Sequence, residues 1–295
     1  MSLLEAIVKR VVKTVVQPVL HGSTSIDRQR FMLDLLRFMP MPRQVRCQPC
    51  DLGGIKGLQL TPTNKPLSGG AMLYLHGGAY CIGSSASHKE MVARLAKTCQ
   101  REAWLIDYGL APEQPFPAAQ EDALAAYEAL LDIDSNIVIA GDSAGGGLSL
   151  SLMLAIKEKG LPPPKALVLF SPLTDLSSSG ETMNTHEARD PMLTPSWLST
   201  CNAHYAVDTS LLNPGVSPLF GDFTDFPPVL IQVGSEEILL DDSLRLEQQM
   251  LEQSVDVTLH QYDGLWHVFQ VHAGMLKRAK AAMVEVTDFI QAKAS

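Results

Sequence analysis

The 295-residue sequence lacks several features that would place it in a particular class of protein. No uninterrupted apolar run is long enough to cross a bilayer. Basic residues are fewer than acidic ones, 23 Lys and Arg against 32 Asp and Glu, and the formal net charge of -9 disfavours binding to nucleic acid. Charged residues such as Glu5, Lys9 and Lys13 interrupt the N-terminal stretch, which predicts a cytoplasmic protein without a secretory signal.

Cysteine is scarce and irregularly spaced. The five cysteines are an odd number without the spacing of a disulfide framework, which predicts reduced thiols. Cys47 and Cys50 are spaced like half of a zinc site, but no second pair or nearby histidine completes it. We therefore interpret both as packing residues and expect no metal site.

A glycine-rich segment, residues 141–147, reads Gly-Asp-Ser-Ala-Gly-Gly-Gly between an apolar run and a helical pattern. It lacks the Gly-Lys-Ser/Thr ending of a P-loop and the Gly-x-Gly-x-x-Gly spacing of dinucleotide-binding proteins. Gly-x-Ser-x-Gly at a strand–turn–helix junction instead exposes the serine hydroxyl above the sheet, and small neighbours let the backbone double back. The motif therefore predicts that Ser143 is a nucleophile.

Strand and helix patterns alternate along the chain. A hairpin is predicted over 45–61, and further strands are predicted at 71–75, 104–106, 137–140, 166–170, 229–233 and 255–262. Helices are predicted at 88–100, 120–131, 148–159, 242–252 and 271–292. This alternation, without an internal repeat or an inter-domain linker, predicts an α/β fold with a mainly parallel sheet flanked by helices, in a single domain spanning 1–295.

A serine nucleophile needs a base, and the base needs an orienting acid; on this fold the three follow in the order serine, acid, histidine. Three histidines come late enough: His260 in a predicted strand, His272 in the predicted last helix, and His267 in the loop after the final strand. Loops at the carboxyl ends of parallel strands carry the reactive groups of α/β sheets. We therefore predict His267 as the base.

The acid is expected in the loop after the strand at 229–233. Four carboxylates compete there: Glu236, Glu237, Asp241 and Asp242. The two aspartates open the following helix, where acidic residues are favoured by the helix dipole alone. We predict Glu237, with Glu236 second and the aspartates behind.

Acyl transfer also needs fixed donors for the oxyanion that forms when the carbonyl is attacked. The turn after the strand at 71–75 reads His76-Gly77-Gly78-Ala79, and its glycines let backbone N–H groups approach a substrate. The N–H of Ala144, next to the nucleophile, would be a further donor. We interpret His76 as a structural hydrogen-bonding residue.

The N-terminal region carries apolar side chains at helical spacing over residues 3–20, with Lys9, Arg10 and Lys13 on the polar face. Such a helix either lies on a membrane or covers a hydrophobic site in its own protein. We favour the second interpretation and expect no stable membrane insertion. Residues 175–215 interrupt the alternation and are predicted to form an irregular insertion.

Six short segments carry a resemblance to a known family: His76–Tyr80, Tyr108–Glu113, Phe116–Ala119, Gly141–Gly146, Asp190–Leu193 and His267–Phe269. With them the chain resembles the hormone-sensitive-lipase-like branch of the α/β-hydrolase esterases. The resemblance implies an eight-stranded sheet, a helical cap formed by about 1–45 and 180–215, and oxyanion donors at Gly77, Gly78 and Ala144. The family more often has aspartate where Glu237 stands and glycine where Ala79 stands.

The resemblance and the candidate triad imply a serine carboxylesterase that hydrolyses short- to medium-chain acyl esters through an acyl-enzyme, without a cofactor. The expected partner is a small ester, and relatives suggest a homodimer. Two alternatives stay open: a non-catalytic ligand-binding protein on a hydrolase scaffold, and a related amide or lactone hydrolase or acyltransferase. The expected walls of the acyl pocket are Met32, Leu33, Phe38, Trp197 and Leu198.

Overall fold

The centre of the fold is an eight-stranded sheet, seen in a computed structural model that describes residues 1–67 and 69–294. The strand order is β1-β2-β4-β3-β5-β6-β7-β8, and β2 pairs antiparallel with β1 and β4 whereas all other pairs are parallel. The strands are β1 Val45–Leu52, β2 Ile55–Pro62, β3 Ala71–Leu75, β4 Glu102–Ile106, β5 Ile137–Asp142, β6 Ala166–Phe170, β7 Val229–Gly234 and β8 Val257–Tyr262. The predicted α/β class with a mainly parallel sheet is confirmed.

Helices cover both faces of the sheet and enclose two apolar cores. One core contains buried residues of α4, α5, α7 and α8, and the other contains those of α1, α3 and α9. The helices are α1 Leu3–Val11, α2 Ile26–Asp34, α3 Ser85–Cys99, α4 Ala118–Leu131, α5 Ala144–Lys159, α6 Thr182–Thr185, α7 Pro195–Tyr205, α8 Leu240–Glu252 and α9 Lys277–Lys293.

The central strands are buried along their whole length, which parallel strands require when helices cover both faces. Successive side chains of β3 point to opposite faces. Leu73 and Leu75 belong to the core with α4 and α5, whereas Met72 and Tyr74 belong to the core with α3 and α9. The apolar runs therefore fix which strands lie in the middle of the sheet.

Three predicted elements differ from the structure. The helix predicted at 3–20 ends as α1 at Val11 and continues only as a π-helical turn, Val12–Val16. The segment 175–215 is not irregular throughout, because α7 begins there with Thr194 as its N-cap. The last helix begins at Lys277, so His272 lies in a 3-10 turn, Phe269–His272, and not in that helix.

The N-terminal elements and the 180–215 segment contact each other. The Trp197 indole N–H donates to Gln29 Oε1 at 2.8 Å, and the Gln17 amide donates to the Asp190 carbonyl at 3.2 Å. We propose that these two segments form the predicted cap of a single domain; Ser295, the last residue of that prediction, lies outside the described residues. Within 1–67 and 69–294, no helix has the length and apolar character needed to span a bilayer.

Candidate active site

Ser143 occupies a sharp turn between β5 and α5. Its backbone has φ 53° and ψ −121°, a conformation that is strained for a residue with a side chain. Hydrogen bonds hold the turn: the Ser143 N–H donates to Phe170 O at 2.8 Å, and its carbonyl accepts from Leu173 N at 2.9 Å. This geometry is the strand–turn–helix arrangement that presents a serine side chain above a sheet.

The glycines of the motif allow close approach of the backbone. A Cβ added to Gly145 would lie 2.0 Å from Leu75 O, and one added to Gly141 would lie 2.3 Å from Gly145 O. Both obstacles are backbone atoms and cannot rotate away. The turn can therefore form only without side chains at these two positions.

We expect Gly145→Ala to lower the free energy of unfolding by about 3 kcal/mol or more, because the new methyl group overlaps backbone in a packed region. Denaturant unfolding of the purified variant measures the loss. Gly22→Ala is the matched control, since the atom nearest to a Cβ added at Gly22 is the Thr200 side-chain oxygen at 3.2 Å. We expect that control to stay within about 1 kcal/mol of the unsubstituted protein. Equal stabilities of the two variants would contradict the close approach at Gly145.

His267 and Glu237 form a buried pair beside Ser143. His267 Nδ1 lies 2.8 Å from Glu237 Oε2, and both side chains are almost completely inaccessible to solvent. Ser143 and His267 line the same cavity. The structure therefore bonds the predicted glutamate to the predicted histidine and places that histidine on the same cavity as the predicted serine, although the three are 30 to 124 residues of sequence apart.

Burial and the Glu237 carboxylate shift the pKa of His267 in opposite directions. Burial lowers the pKa, whereas the bonded Glu237 carboxylate raises it, and the net shift is upward from 6.5. The imidazole is therefore a stronger base than an ordinary histidine. A base that is to remove a hydroxyl proton benefits from this change.

The three competing carboxylates have other partners. Glu236 binds Lys9 of α1 at 2.9 Å and Arg189 at 2.5 Å. Asp241 Oδ2 accepts the Thr182 N–H at 2.9 Å, and Asp242 Oδ2 accepts the Thr174 N–H at 2.7 Å. Of the four, Glu237 is the carboxylate bonded to His267.

Two residues that hold this pair were not predicted from the sequence. The Ser171 hydroxyl donates to Glu237 Oε1 at 2.8 Å and accepts the Val268 N–H at 3.1 Å. It therefore links the loop that carries Glu237 to the loop that carries His267. Asp190 accepts the Ile238 N–H at 3.0 Å, next to Glu237. Asp190 appeared in the sequence only as part of a family motif, and Ser171 had no signal, because both act through long-range contacts.

The turn at 76–79 is tied to the nucleophile segment by one of its predicted donors. The Gly77 N–H donates to Asp142 Oδ1 at 3.1 Å, and its role as an oxyanion donor stays a prediction. Among the residues described, no acceptor pairs with the N–H groups of Gly78, Ala79 or Ala144. Ala79 has φ 50°, which turns the backbone after the glycines. Of these three residues, Gly78 lines the same cavity as Ser143, and Ala144 directly follows Ser143 in the sequence.

Asp142 lies at the centre of a buried polar network beneath this turn. Besides Gly77, its carboxylate accepts the Tyr74 hydroxyl at 2.8 Å and lies 3.6 Å from His88 Nε2. The His76 ring stacks on Tyr108 at 4.3 Å between centroids, which agrees with a structural role for His76. Burial lowers the pKa of His76 to about 4, with the nearby His88 as the second cause, so this ring is neutral near pH 7.

Charge interactions within the network outweigh burial for both ionisable partners. Burial is the largest single effect and raises the pKa of Asp142, but His88, the Tyr74 hydroxyl and His76 together lower the pKa by more, and the net shift is downward. For His88, burial lowers the pKa and Asp142 raises it, with a net upward shift. The pair is thus stabilised in its charged form.

We expect Asp142→Asn to lower the free energy of unfolding by about 2–4 kcal/mol, because buried His88 loses the carboxylate that balances its charge. We also expect a lower kcat, because the carboxylate that accepts the Gly77 N–H is replaced. The Asp142–His88 pair contributes most to the free energy of unfolding below pH 6.5, where His88 is charged in the unfolded chain as well. This contribution is lost as the pH rises through the raised pKa of His88 in the folded protein. Unfolding curves measured from pH 5 to 9 should therefore show a stability deficit that shrinks with rising pH.

Asp256→Asn is the matched control, because its bond to Lys293 lies at the surface. We expect that variant to lose less than about 1 kcal/mol at every pH. An Asp142→Asn deficit that grows with pH would show that the pair is not charged as described.

Ser143 and His267 open into a cavity of about 310 Å³. Most of its walls are apolar and come from the N-terminal elements and the 180–215 segment. Of the predicted wall residues, Leu33 and Trp197 line it, whereas Met32 and Phe38 are exposed and Leu198 is buried elsewhere. Further lining residues are Val12, Val16, Leu20, Leu36, Met39, Met192, Leu193, Val268, Val271 and Met275.

Metal ligands are not clustered in this site. Within 1–67 and 69–294, no group of three or more His, Cys, Asp or Glu side chains is arranged to hold a metal ion. Cys47 and Cys50 both lie in β1 as free thiols, and Cys47 is exposed.

The chain is similar to known proteins over most of its length. Residues 72–271 match a family model described as the α/β hydrolase fold. An esterase of Acinetobacter venetianus is 34% identical over 261 residues, which cover 86% of this chain and 85% of that protein. An acetyl-hydrolase of Streptomyces hygroscopicus is 38% identical over 226 residues, which cover 76% of each chain.

A solved structure extends the comparison to the cap segments. The crystal structure of a hormone-sensitive lipase from a metagenome library superposes with a TM-score of 0.91 at 34% identity, covering 99% of this chain and 97% of the other. The match therefore includes the sheet, the flanking helices and the segments at 1–45 and 180–215. The chain belongs to the α/β-hydrolase fold family, within its hormone-sensitive-lipase-like carboxylesterases.

Proposed function

We propose that the protein is a serine carboxylesterase that cleaves short- to medium-chain acyl esters with Ser143, His267 and Glu237. The observation that carries the proposal is the 2.8 Å bond between His267 and Glu237 in a buried pair that shares an apolar cavity with a strained serine. A structural histidine–carboxylate pair has no need of a serine held at φ 53° beside it.

The reaction follows from the position of each group. Ser143 Oγ attacks the ester carbonyl while His267 Nε2 takes the hydroxyl proton, and Glu237 at Nδ1 stabilises the resulting imidazolium. The carbonyl oxygen becomes an oxyanion, for which the predicted donors are the N–H groups of Gly77, Gly78 and Ala144; those of Gly78 and Ala144 have no other acceptor among the described residues. His267 then returns the proton to the leaving alcohol, and water, activated by the same imidazole, releases the acid from the acyl-enzyme.

The cavity sets the length of the acyl chain. Its volume of about 310 Å³ lies at the small end of ligand pockets. Apolar walls favour an alkyl chain, and each methylene that becomes buried adds about 0.8 kcal/mol of binding. The acetyl-hydrolase name of one relative is consistent with a short acyl group.

Hydrolysis of nitrophenyl esters with acyl chains of increasing length tests the proposal. We expect kcat/KM to rise about fourfold per methylene until the cavity is filled, and to fall for longer chains. Nitrophenyl anilides of the same acids distinguish esterase from amidase activity and should react far more slowly. Tight binding of the esters without release of nitrophenol would favour the alternative of a non-catalytic binding protein.

The cytoplasmic location and the homodimer stay predictions. Neither the location nor an assembly follows from the fold. Analytical ultracentrifugation of the purified protein tests the dimer.

A further inference from the structure

The N-terminal segment has a charge opposite to that of the rest of the chain. Residues 1–46 contain eight Lys and Arg against three Asp and Glu, a formal net charge of +5 in a chain whose total is -9. Four of these cations, Arg10, Arg28, Arg43 and Arg46, are exposed, and their side chains form neither a hydrogen bond nor a salt bridge with any residue that the structure describes; exposed Lys13 donates to the Ala188 carbonyl. The segment is therefore a cationic surface on an acidic protein.

The same segment exposes large apolar side chains in two rows. On α1, Ile7 and Val11 are 52% and 50% exposed and lie one helical turn apart, with Leu3 one turn before them. On α2 and the following turn, Phe31 and Leu35 are exposed and also one turn apart. We call these five side chains the apolar rows. Isolated exposed apolar residues are ordinary, but rows on adjacent segments mark a contact surface.

An unpaired arginine borders each row. Arg10 follows Ile7 by three residues on α1, and Arg28 precedes Phe31 by three residues on α2, so each guanidinium lies beside an apolar side chain. Apolar side chains beside unpaired cations are the pattern of helices that lie in the interface of an anionic bilayer. Each cation near such a surface contributes about 1 kcal/mol of attraction.

The apolar rows lie next to the mouth of the active-site cavity. Val12 and Val16, which line the cavity, directly follow Val11 and Val15 on the same N-terminal segment. Leu36 and Met39 line the cavity and are also exposed, so they mark its opening beside Leu35. A surface that docked on the rows would therefore face the opening of the cavity.

We propose that residues 1–46 dock the protein peripherally on anionic phospholipid bilayers, with the apolar rows in the interface and the unpaired arginines at the headgroups. The docking does not insert a helix across the bilayer. It goes beyond the proposed esterase activity and does not depend on it, because it uses side chains outside the catalytic groups.

Vesicle co-sedimentation of the full-length Ser143→Ala protein tests the proposal without hydrolysis of lipid. Phosphatidylglycerol-containing vesicles should bind the protein, pure phosphatidylcholine vesicles should bind it at least about tenfold more weakly, and added salt should weaken binding to the anionic vesicles. Equal binding to both vesicles, or no binding to either, would overturn the proposal.

Two variants test the named side chains. Arg10→Glu with Arg28→Glu, and separately Ile7→Gln with Val11→Gln and Phe31→Gln, should each lower the vesicle partition coefficient by about tenfold or more. Both sets are at exposed positions, and Gln keeps helix propensity, so the melting temperature should change little. Made in the protein with Ser143 intact, the same substitutions should leave hydrolysis of soluble nitrophenyl esters within about twofold.

Matched controls carry the same changes elsewhere on the surface. Lys165→Glu with Lys280→Glu reverses two exposed charges, and Ile133→Gln with Leu251→Gln replaces two side chains that are both 58% exposed. Controls that lose as much vesicle binding as the test variants would overturn the proposal. A second result would also overturn it: the protein binds no vesicles, and substitution of the apolar rows dissociates a dimer. The rows would then be covered by a second copy of the chain and not by a bilayer.

Discussion

Ser143→Ala is expected to lower kcat for nitrophenyl esters by about 10⁵- to 10⁶-fold. The remaining groups, His267 and the free N–H groups of the turn, can still polarise a bound ester, but no oxygen is left to form the acyl-enzyme. Stopped-flow measurement of nitrophenol release should show a burst for the unsubstituted protein wherever deacylation is slow, and no burst for the variant. Denatured mass spectrometry during turnover should find the acyl group only on the protein that retains Ser143.

Ser149→Ala is the matched control, because Ser149 is also buried and lies on α5 within two turns of the nucleophile. Its hydroxyl donates to the Gly145 carbonyl at 2.7 Å, and Ser149 is not among the described residues that line the cavity. We expect its kcat to stay within about tenfold of the unsubstituted value. Full turnover by a correctly folded Ser143→Ala protein would contradict the proposed mechanism.

The parts of the fold that could be predicted from sequence are those with a local physical cause. β3, β5 and β6 are short apolar runs because each is buried on both faces, and that requirement is readable in five or six consecutive residues. The Ser143 turn is readable for the same reason, because Gly141 and Gly145 meet backbone atoms within the turn or directly beneath it.

The sequence pattern does not predict the helix at 195–205. Thr194 caps it and Pro195 occupies its first turn, a combination that favours a helix start. Its surroundings are polar and contain several prolines, however, and the burial of side chains such as Trp197 and Tyr205 stabilises the helix in addition to its cap. Tertiary packing, which the sequence pattern does not report, decided this element.

The parts of the site that could not be predicted depend on contacts between distant segments. Ser171 bonds Glu237 across 66 residues and Val268 across 97, and nothing near Ser171 in sequence indicates either bond. The engagement of Gly77 by Asp142 likewise depends on β3 and β5 lying side by side. Spacing along the chain placed Gly77 in the correct turn but could not show where its N–H points.

The choice among the acidic residues after β7 rests on the same kind of contact. Glu236 and Glu237 are consecutive, and the backbone sends one side chain inward and the other outward. Glu237 Oε1 accepts two hydrogen bonds, from Ser171 and from Gly234 N at 2.7 Å, which leaves Oε2 directed at His267. Glu236 instead joins α1 to the 180–215 segment through Lys9 and Arg189. Adjacent residues of one chemical type therefore have different partners: Glu237 bonds the site histidine, and Glu236 links the N-terminal helix to the 180–215 segment.

This difference predicts opposite outcomes for two otherwise identical substitutions. Glu237→Gln should lower kcat by about 10³- to 10⁴-fold, because the amide cannot stabilise the imidazolium and can orient the wrong tautomer of His267. Glu236→Gln is the matched control and should stay within about tenfold, with a modest loss of stability as its contacts to Lys9 and Arg189 weaken. Steady-state kinetics on a single short-chain ester compares the two.

The pH dependence separates a catalytic partner from a merely structural one. His267 acts as a base only when neutral, so kcat/KM should fall as pH drops through its pKa, which Glu237 holds above 6.5 against the opposing effect of burial. Removal of that carboxylate leaves only the weaker effects of the Asp190 and Asp142 carboxylates to oppose burial, and the acid limb of the residual activity should therefore move to lower pH in Glu237→Gln. In Glu236→Gln the limb should stay in place. A Glu237→Gln protein with full turnover and an unmoved acid limb, or the same shift produced by Glu236→Gln, would transfer the role of the acid to another carboxylate.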